Sequence, residues 1–301
     1  MAISPLKKPL NDALQKLMSK RPKADTPAND ALDGPGDGPM QLQLWPDAVR
    51  GVPNIALRGA LFSISQERAI AKNLELIAAV DGVEVRFKGE RFNQTDLDVW
   101  EMLLHLARQK PLGDRVEFTA HSFLQSLQRS QGGTDHDQLR EEIARLRSGT
   151  LDITWTSKEK VYGGGLVEKY FYDQETKRYV VVFDKRLLNL YEAGYSYIDW
   201  QQRKLLGSNS LAKWLHGFYA SHAKPYPYKV ETIKKLCGSS TGRLGDFRKQ
   251  LRRALDLLKK HNVFTGWEIN EEDHLIVTKI PSLSQQRHLQ KASGARSKAL
   301  A

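Results

Sequence analysis

The stretch YKVETIKKLCGSSTGRLGDFRKQLRRALDLLKKHNVFTGWEINEEDHLIVTKI (228–280) decides how the chain folds. It reads as a short strand YKV, a short helix over ETIKKLCG, a turn, and a longer helix over GRLGDFRKQLRRALDLLKK. In the longer helix Leu244, Phe247, Leu251, Leu255 and Leu258 fall on one face at three- and four-residue spacing. Two strands follow, VFTGWEI and HLIVTKI, joined by NEED, and a helix over DWQQRKLLGSNSLAKWLHGFYASH precedes. Helix, short strand, short helix, turn, longer helix and hairpin is the order of a winged helix, whose two middle helices form a helix-turn-helix. In that motif the second helix enters a major groove, its first turn reads base edges, and the hairpin lies along the neighbouring backbone.

Outside the apolar stripe lie Arg243, Arg248, Lys249, Arg252, Arg253 and Lys259. Arg243 and Arg248 are the expected base readers, because a planar guanidinium matches the two acceptors on the major-groove edge of guanine. Lys249, Arg252 and Arg253 are expected at phosphates, with Lys259 further along the same helix. Residues 201–260 hold fourteen Lys and Arg against three acidic residues, an excess of eleven that equals the +11 of the whole chain. A surface charged only for solubility mixes signs. This segment does not, which points to a polyanion partner.

Upstream the same order occurs. Strands ALFSI (60–64) and VEVRF (83–87) precede a helix over DLDVWEMLLHLARQK, capped by Thr95, with Leu97, Trp100, Leu103, Leu104 and Ala107 inward. Then come a strand VEF (116–118), a helix begun by Thr119 with Phe123, Leu124 and Leu127, a QGGT turn, and a helix over DQLREEIARLRS. A strand TLDITW and a hairpin of VEKYFYD and RYVVVFD across QETK close the unit. Adding 112 carries Leu139, Ile143, Leu146, Leu151 and Trp155 onto Leu251, Leu255, Leu258, Val263 and Trp267. With a turn three residues shorter, Leu124 and Leu127 map to Ile233 and Leu236. This is a duplicated supersecondary unit. Its first copy is less basic: Arg140, Arg145 and Arg147 alternate with Glu141 and Glu142. Arg140, with Lys158 and Lys160 in SKEKVYGGG, are its expected DNA contacts, and the glycine run is read as a flexible hairpin tip.

The expected architecture is α+β: two tandem winged-helix domains, 41–193 and 194–281, between a disordered basic Pro/Gly arm (1–40) and a disordered basic tail (282–301). One cysteine, Cys237, excludes a disulfide within the chain. The sequence has no eighteen-residue apolar run and no signal-type N-terminus, so no membrane span and a cytoplasmic location are expected. No Walker phosphate loop and no HExxH or Cys/His pattern occurs, and no metal or cofactor is expected.

The chain resembles the TrfA-type replication initiators of broad-host-range plasmids. The likeness runs from about Gln41 to the last strand and is strongest in WPDAVRGVPN (45–54), RGALF (58–62) and SHAKPYPYKVETIKKLCGSSTGRL (221–244). The family's Arg–x3–aromatic–Arg pattern stands at Arg243, Phe247 and Arg248, whereas GGTDHDQ in the first unit departs from it. The resemblance implies two tandem winged helices that bind direct repeats (iterons) at a plasmid origin as monomers, without enzymatic activity. It also implies opening of an adjacent A·T-rich segment, recruitment of the host initiator, replicative helicase and sliding clamp, and control by dimerisation. Leu61, Phe62, Val83, Val85 and Phe87 in the β-rich face are candidates for a dimer surface, with core the favoured reading.

Three other functions fit less well. A transcriptional repressor would share the DNA chemistry, and an adaptor would use winged helices for protein contacts alone. A rolling-circle endonuclease needs a His-hydrophobic-His pair, and His216 and His222 are six apart. One motif stays open. QLQLW (41–45) is similar to clamp-binding peptides of the form Gln-Leu-x-Leu-Phe, so Gln41, Leu42, Leu44 and Trp45 are either a clamp hook or the first residues pinned to the first domain.

Overall fold

The computed structural model describes residues 42, 44–80, 82–111, 115–155, 160–282, 285–287 and 289–290, with only the backbone of residue 160. The expected N-terminal arm lies outside the described residues.

The chain begins with β1 (Val49–Pro53) and a single turn α1 (Asn54–Leu57), then β2 (Phe62–Ser63), the long hairpin β3 (Ile70–Ile77) and β4 (Val83–Glu90), and β5 (Phe92–Asn93). The expected strand over 60–64 shrinks to β2, which pairs in parallel with β5. Leu61, Phe62, Val85 and Phe87 are buried and Val83 packs against the same core, so these residues are interior and not a docking face.

Helix α2 (Gln94–Ala107) is central: Leu97, Val99, Trp100, Met102, Leu103 and Leu104 are all buried. Its cap is Asn93, not Thr95. The Asn93 side chain accepts from the amides of Thr95 and Asp96, and the Asp96 carboxylate accepts from the Asn93 amide at 2.9 Å. Asp96 completes the capping box with Asn93, while Asp98, the residue three after Thr95, is held by Arg203 and Lys213 instead.

Next come β6 (Val116–Thr119), α3 (Ala120–Ser126), α4 (Gly133–Ser148), β7 (Thr150–Trp155), β8 (Lys160–Gly164), β9 (Lys169–Asp173) and β10 (Arg178–Val182). Then follow α5 (Leu188–Glu192), β11 (Tyr195–Asp199), α6 (Trp200–Leu205) and α7 (Ser210–Ala220). The chain continues through β12 (Tyr228–Lys229), α8 (Val230–Leu236), α9 (Leu244–Lys260), β13 (Gly266–Ile269) and β14 (His274–Thr278). The single helix expected over DWQQRKLLGSNSLAKWLHGFYASH is two. Gly207 adopts φ +57°, where α6 ends, and Asn209 caps α7 by accepting from the Ala212 amide at 2.9 Å.

Two units share one plan. In the first, α2, α3 and α4 lie with the sheet β6-β10-β9; in the second, α7, α8 and α9 lie with β12-β14-β13. Leu139, Ile143 and Leu146 on α4 and Leu251, Leu255 and Leu258 on α9 are fully buried, so the 112-residue register holds in these helices. It fails elsewhere. The residues before the short helices, Thr119 and Lys229, pair with Arg178 and His274, and Tyr179 and Leu275 then pair with Tyr172 and Ile269. Phe123 and Leu127 therefore match Ile233 and Cys237, an offset of 110, and Trp267 matches Tyr170.

Trp155 sits in a different sheet, β3-β4-β7-β8, which is inserted into the first unit and has no counterpart in the second among the described residues. The glycine run is not a hairpin tip: Gly163 and Gly164 end β8, and Gly165 is packed. A Cβ at Gly165 would lie 2.8 Å from the Arg147 carbonyl, at the end of α4.

One core extends from Leu42 to Trp200 and the other from Leu206 to Val277. The first passes the expected boundary at 193 because β11 pairs with β1. Residues 285–287, expected within an unstructured tail, are helical, and the Gln285 side-chain amide donates to the Ala220 carbonyl at 2.8 Å.

The two units are joined by a buried ionic cluster. Arg203 on α6 lies 2.7 Å from Asp98 and 3.1 Å from Glu101, both on α2, and donates to Gln94 and to the Lys213 carbonyl at 3.2 Å. Lys213 on α7 reaches the other Asp98 oxygen at 2.6 Å. Burial alone would raise the Asp98 carboxyl, but Arg203 and Lys213 hold it below the usual range. Glu101 has less compensation, and burial pushes it up to about 7 against the pull of Arg203. Removing one partner of such a cluster strands the others without water.

Arg203→Ala is therefore expected to cost about 3 kcal/mol or more in denaturant unfolding. Glu101 adds a pH dependence. The unfolded chain releases this proton near 4.5 and the folded chain near 7, so stability falls as pH rises through that window. Subtracting the profile of Glu101→Gln from that of the wild type should isolate this fall. A flat difference between pH 4.5 and 7 would refute it.

Candidate nucleic-acid interface

Helix α8 stops at Cys237 because Gly238, at φ +63°, turns the chain. The Gly238 amide donates to the Lys235 carbonyl and the Ser239 amide to the Lys234 carbonyl, both at 3.1 Å. Lys234 Nζ donates to the Gly242 carbonyl at 3.1 Å and fixes the turn that delivers α9. Arg243 occupies the cap position with no side-chain cap bond, which leaves its guanidinium exposed at the head of the helix. The apolar stripe of α9 gains Ala254 beside the expected Phe247, Leu251, Leu255 and Leu258, while Leu244 is half-buried.

The expected basic residues divide into three groups. Lys249 and Arg253, one helical turn apart, project from the face opposite the stripe, and Lys260 extends their row. Lys249 makes one exposed contact with Asp246 at 3.4 Å, worth little in water. Arg252 and Lys259 are also exposed and lie on the flank toward the hairpin. Arg248 differs from all of these. Its Nε and one Nη donate to the two carboxylate oxygens of Asp273 in the β13–β14 turn at 2.7 and 2.9 Å. That bidentate bond raises the guanidinium pKa and lowers the carboxyl pKa. The expected base reader is thus held by its own hairpin.

The first unit presents little positive charge. Arg140 is exposed but lies 3.2 Å from Asp137. Arg145 is buried against Asp96 at 3.1 Å and Glu90 at 3.4 Å. The span 133–148 holds three basic and four acidic residues, against seven and two over 243–260. Lys158 lies outside the described residues, and only the backbone of Lys160 is described, paired with Trp155. Arg129, which the sequence did not single out, meets the buried Glu142 at 2.6 Å. Burial raises the Glu142 carboxyl, against the opposing pull of Arg129.

The tryptophan of QLQLW is part of the core. Trp45 is 4% exposed and Leu42 2%, whereas Leu44 between them is 69% exposed. Gln41 lies outside the described residues. Trp45 Nε1 donates to His105 Nδ1 at 3.1 Å, and its ring stacks on Tyr191 at 6.5 Å. Gly51 makes room, because a Cβ there would lie 2.8 Å from the indole. Arg108 Nε donates to the Trp45 carbonyl at 3.0 Å, and its far end reaches Asp47. Burial, with Arg50 and Arg108 nearby, depresses His105 to about 3, so its ring is neutral and can accept. The segment is the first turn of the fold.

Paired helix-turn-helix-like units, one with an outward basic helix, define a two-headed α+β protein with one electropositive head. The chain belongs to the TrfA protein family, whose sequence profile matches residues 38–279. It is similar to the plasmid replication initiator protein TrfA of Escherichia coli, at 26% identity over 245 residues, which are 77% of this chain and 64% of that relative. The match thus leaves over a third of the relative's length uncovered. The fold is similar to the crystal structure of domains 2 and 3 of RctB, with a TM-score of 0.50, 12% identity and coverage of 75% of this chain and 95% of that one.

Trp45→Ala is expected to destabilise the protein by about 3–5 kcal/mol, while Leu44→Ala should stay within about 0.5 kcal/mol. Thermal and denaturant melts of the two variants check this. Equal melting would return the segment to the hook reading.

Proposed function

We propose that both units are winged helices and that the chain initiates plasmid replication by binding duplex origin DNA. The observation that carries this reading is the basic outer row of α9, in a chain of the TrfA family whose relative is named a plasmid replication initiator. In the proposed complex α9 lies in a major groove. Lys249, Arg253 and Lys260 neutralise phosphates, and Arg243 at its first turn reaches base edges. Helix α4 meets a second groove about one turn away, with Arg140 and Arg147 and little net charge. The second unit then supplies most of the affinity and the first sets register.

Several copies on direct repeats would bend and twist the duplex and weaken a soft A·T-rich neighbour. This uses binding energy alone, with no covalent step, cofactor or metal. Single-stranded A·T-rich DNA, the host initiator and helicase, a monomer–dimer equilibrium and a cytoplasmic location belong to the same proposal. No helix among the described residues is long and apolar enough to cross a membrane. Clamp capture by QLQLW is outside it, because Leu42 and Trp45 would have to leave the core at about 1.5–3 kcal/mol each.

Lys249→Ala with Arg253→Ala is expected to lower the slope of log K against log salt by about two, close to 0.9 per lost phosphate contact. Arg243→Ala is expected to relax sequence preference by about 1–3 kcal/mol at one position. Titrations of a fluorescent duplex at several salt concentrations read the first, and footprinting on selected sites the second. Salt-independent binding, or unchanged binding by both variants, would sink the proposal.

A further inference from the structure

The Arg248–Asp273 pair carries an inference about how the basic head is built, and it rests on the DNA-binding reading above. Asp273 is the last residue of the NEED turn and holds a left-handed φ of +64°. The turn closes on itself: the Asn270 amide donates to the His274 carbonyl, the Asp273 amide to the Asn270 carbonyl, both at 3.1 Å, and the His274 amide to Asn270 Oδ1 at 2.8 Å. The Asp273 carbonyl then accepts from the Val230 amide at 2.9 Å, at the first residue of α8. Its carboxylate accepts from Nε and one Nη of Arg248, in the second turn of α9. One residue thus joins the hairpin, the first helix of the helix-turn-helix and the second.

Charge argues the same way. Glu271 and Glu272 stand exposed at the turn beside Asp273, so this tip repels phosphates. Arg248 is turned toward that acidic corner and away from the outer row of Lys249 and Arg253.

We propose that Arg248 is a positioning residue: through Asp273 it holds the hairpin turn and the start of α8 on α9 in the geometry that reads DNA, and it makes no DNA contact. The competing view is that Arg248 contacts DNA and Asp273 merely occupies it in the free protein. The two views assign opposite signs to one substitution. If Arg248 were a contact, Asp273→Ala would release it, remove a negative charge near the duplex, and tighten binding. For a positioning pair, Asp273→Ala loosens the head and weakens binding.

The test uses the full chain and a duplex that the wild type selects from a random-sequence pool. Arg248→Ala, Asp273→Ala and the double variant are each expected to bind about three- to ten-fold more weakly, with the double no worse than either single. The salt slope of Arg248→Ala should equal that of the wild type, because no phosphate contact is lost. Arg248→Lys keeps the charge without the two-point grip and should behave like Arg248→Ala. Asp273→Asn, which retains an acceptor, should recover part of the loss. In the free protein, hydrogen exchange at the Val230 amide should quicken in Arg248→Ala and Asp273→Ala alike.

Tighter binding by Asp273→Ala, a slope reduced by about one in Arg248→Ala, or full rescue by Arg248→Lys overturns the proposal while leaving the DNA reading intact. A wild-type chain that selects no duplex overturns the DNA reading itself, and this inference with it.

Discussion

Arg203 sits with its side chain 1% exposed between two carboxylates of another unit, and the arrangement of the molecule depends on it. A guanidinium leaves water at a cost of several kcal/mol unless its donors are answered. Here Asp98, Glu101, Gln94 and the Lys213 carbonyl answer them from α2 and α7. The contact is directional, so it fixes an angle as well as a distance. Burial holds the Glu101 proton high, and neither of its oxygens has a well-aligned hydrogen bond among the described residues to offset it.

Two of the stretches on which the family resemblance rests, 58–62 and 221–244, meet between the same two units. Arg58 Nε donates to Ser221 Oγ at 3.0 Å, Trp214 Nε1 to the Gly59 carbonyl at 3.0 Å, and the Ile64 amide to the Cys237 carbonyl at 2.9 Å. Gly238 is doubly constrained. Its φ is left-handed, and a Cβ there would lie 2.7 Å from Ser63. The sequence 221–244 is thus also an inter-unit contact at Ser221, Cys237 and Gly238.

What was legible in the sequence followed from local periodicity. Both buried helix stripes, the Thr119 cap and the two hairpins need only neighbours a turn or a strand away. The misread features depend on distant partners. Nothing near Trp155 says that β7 will lie between β4, more than sixty residues earlier, and β8, and not beside the later hairpin of β9 and β10. Asn93 and Thr95 are both good caps with an aspartate three residues on, and Asp98 is drawn away by Arg203 and Lys213 from the other unit. In the candidate interface the charge count pointed to the helix that carries the exposed basic row, but composition cannot show which arginine is already held. Arg248 looked equivalent to Arg243 until Asp273 appeared opposite it. Leu42 and Trp45 fitted a peptide motif because anchors for a pocket and for a core are the same residue types.

The buried Arg203 cluster has a mechanical consequence. A duplex has a persistence length of about 150 base pairs, so bending a short site costs only a few kcal/mol. Two heads held by paired buried charges would resist the same deformation. In the proposed complex, on DNA whose half-sites are out of phase, the misfit would be absorbed by the duplex. The chain would then act as a ruler, and error in the spacing of its site would be stored as torsion in the nucleic acid.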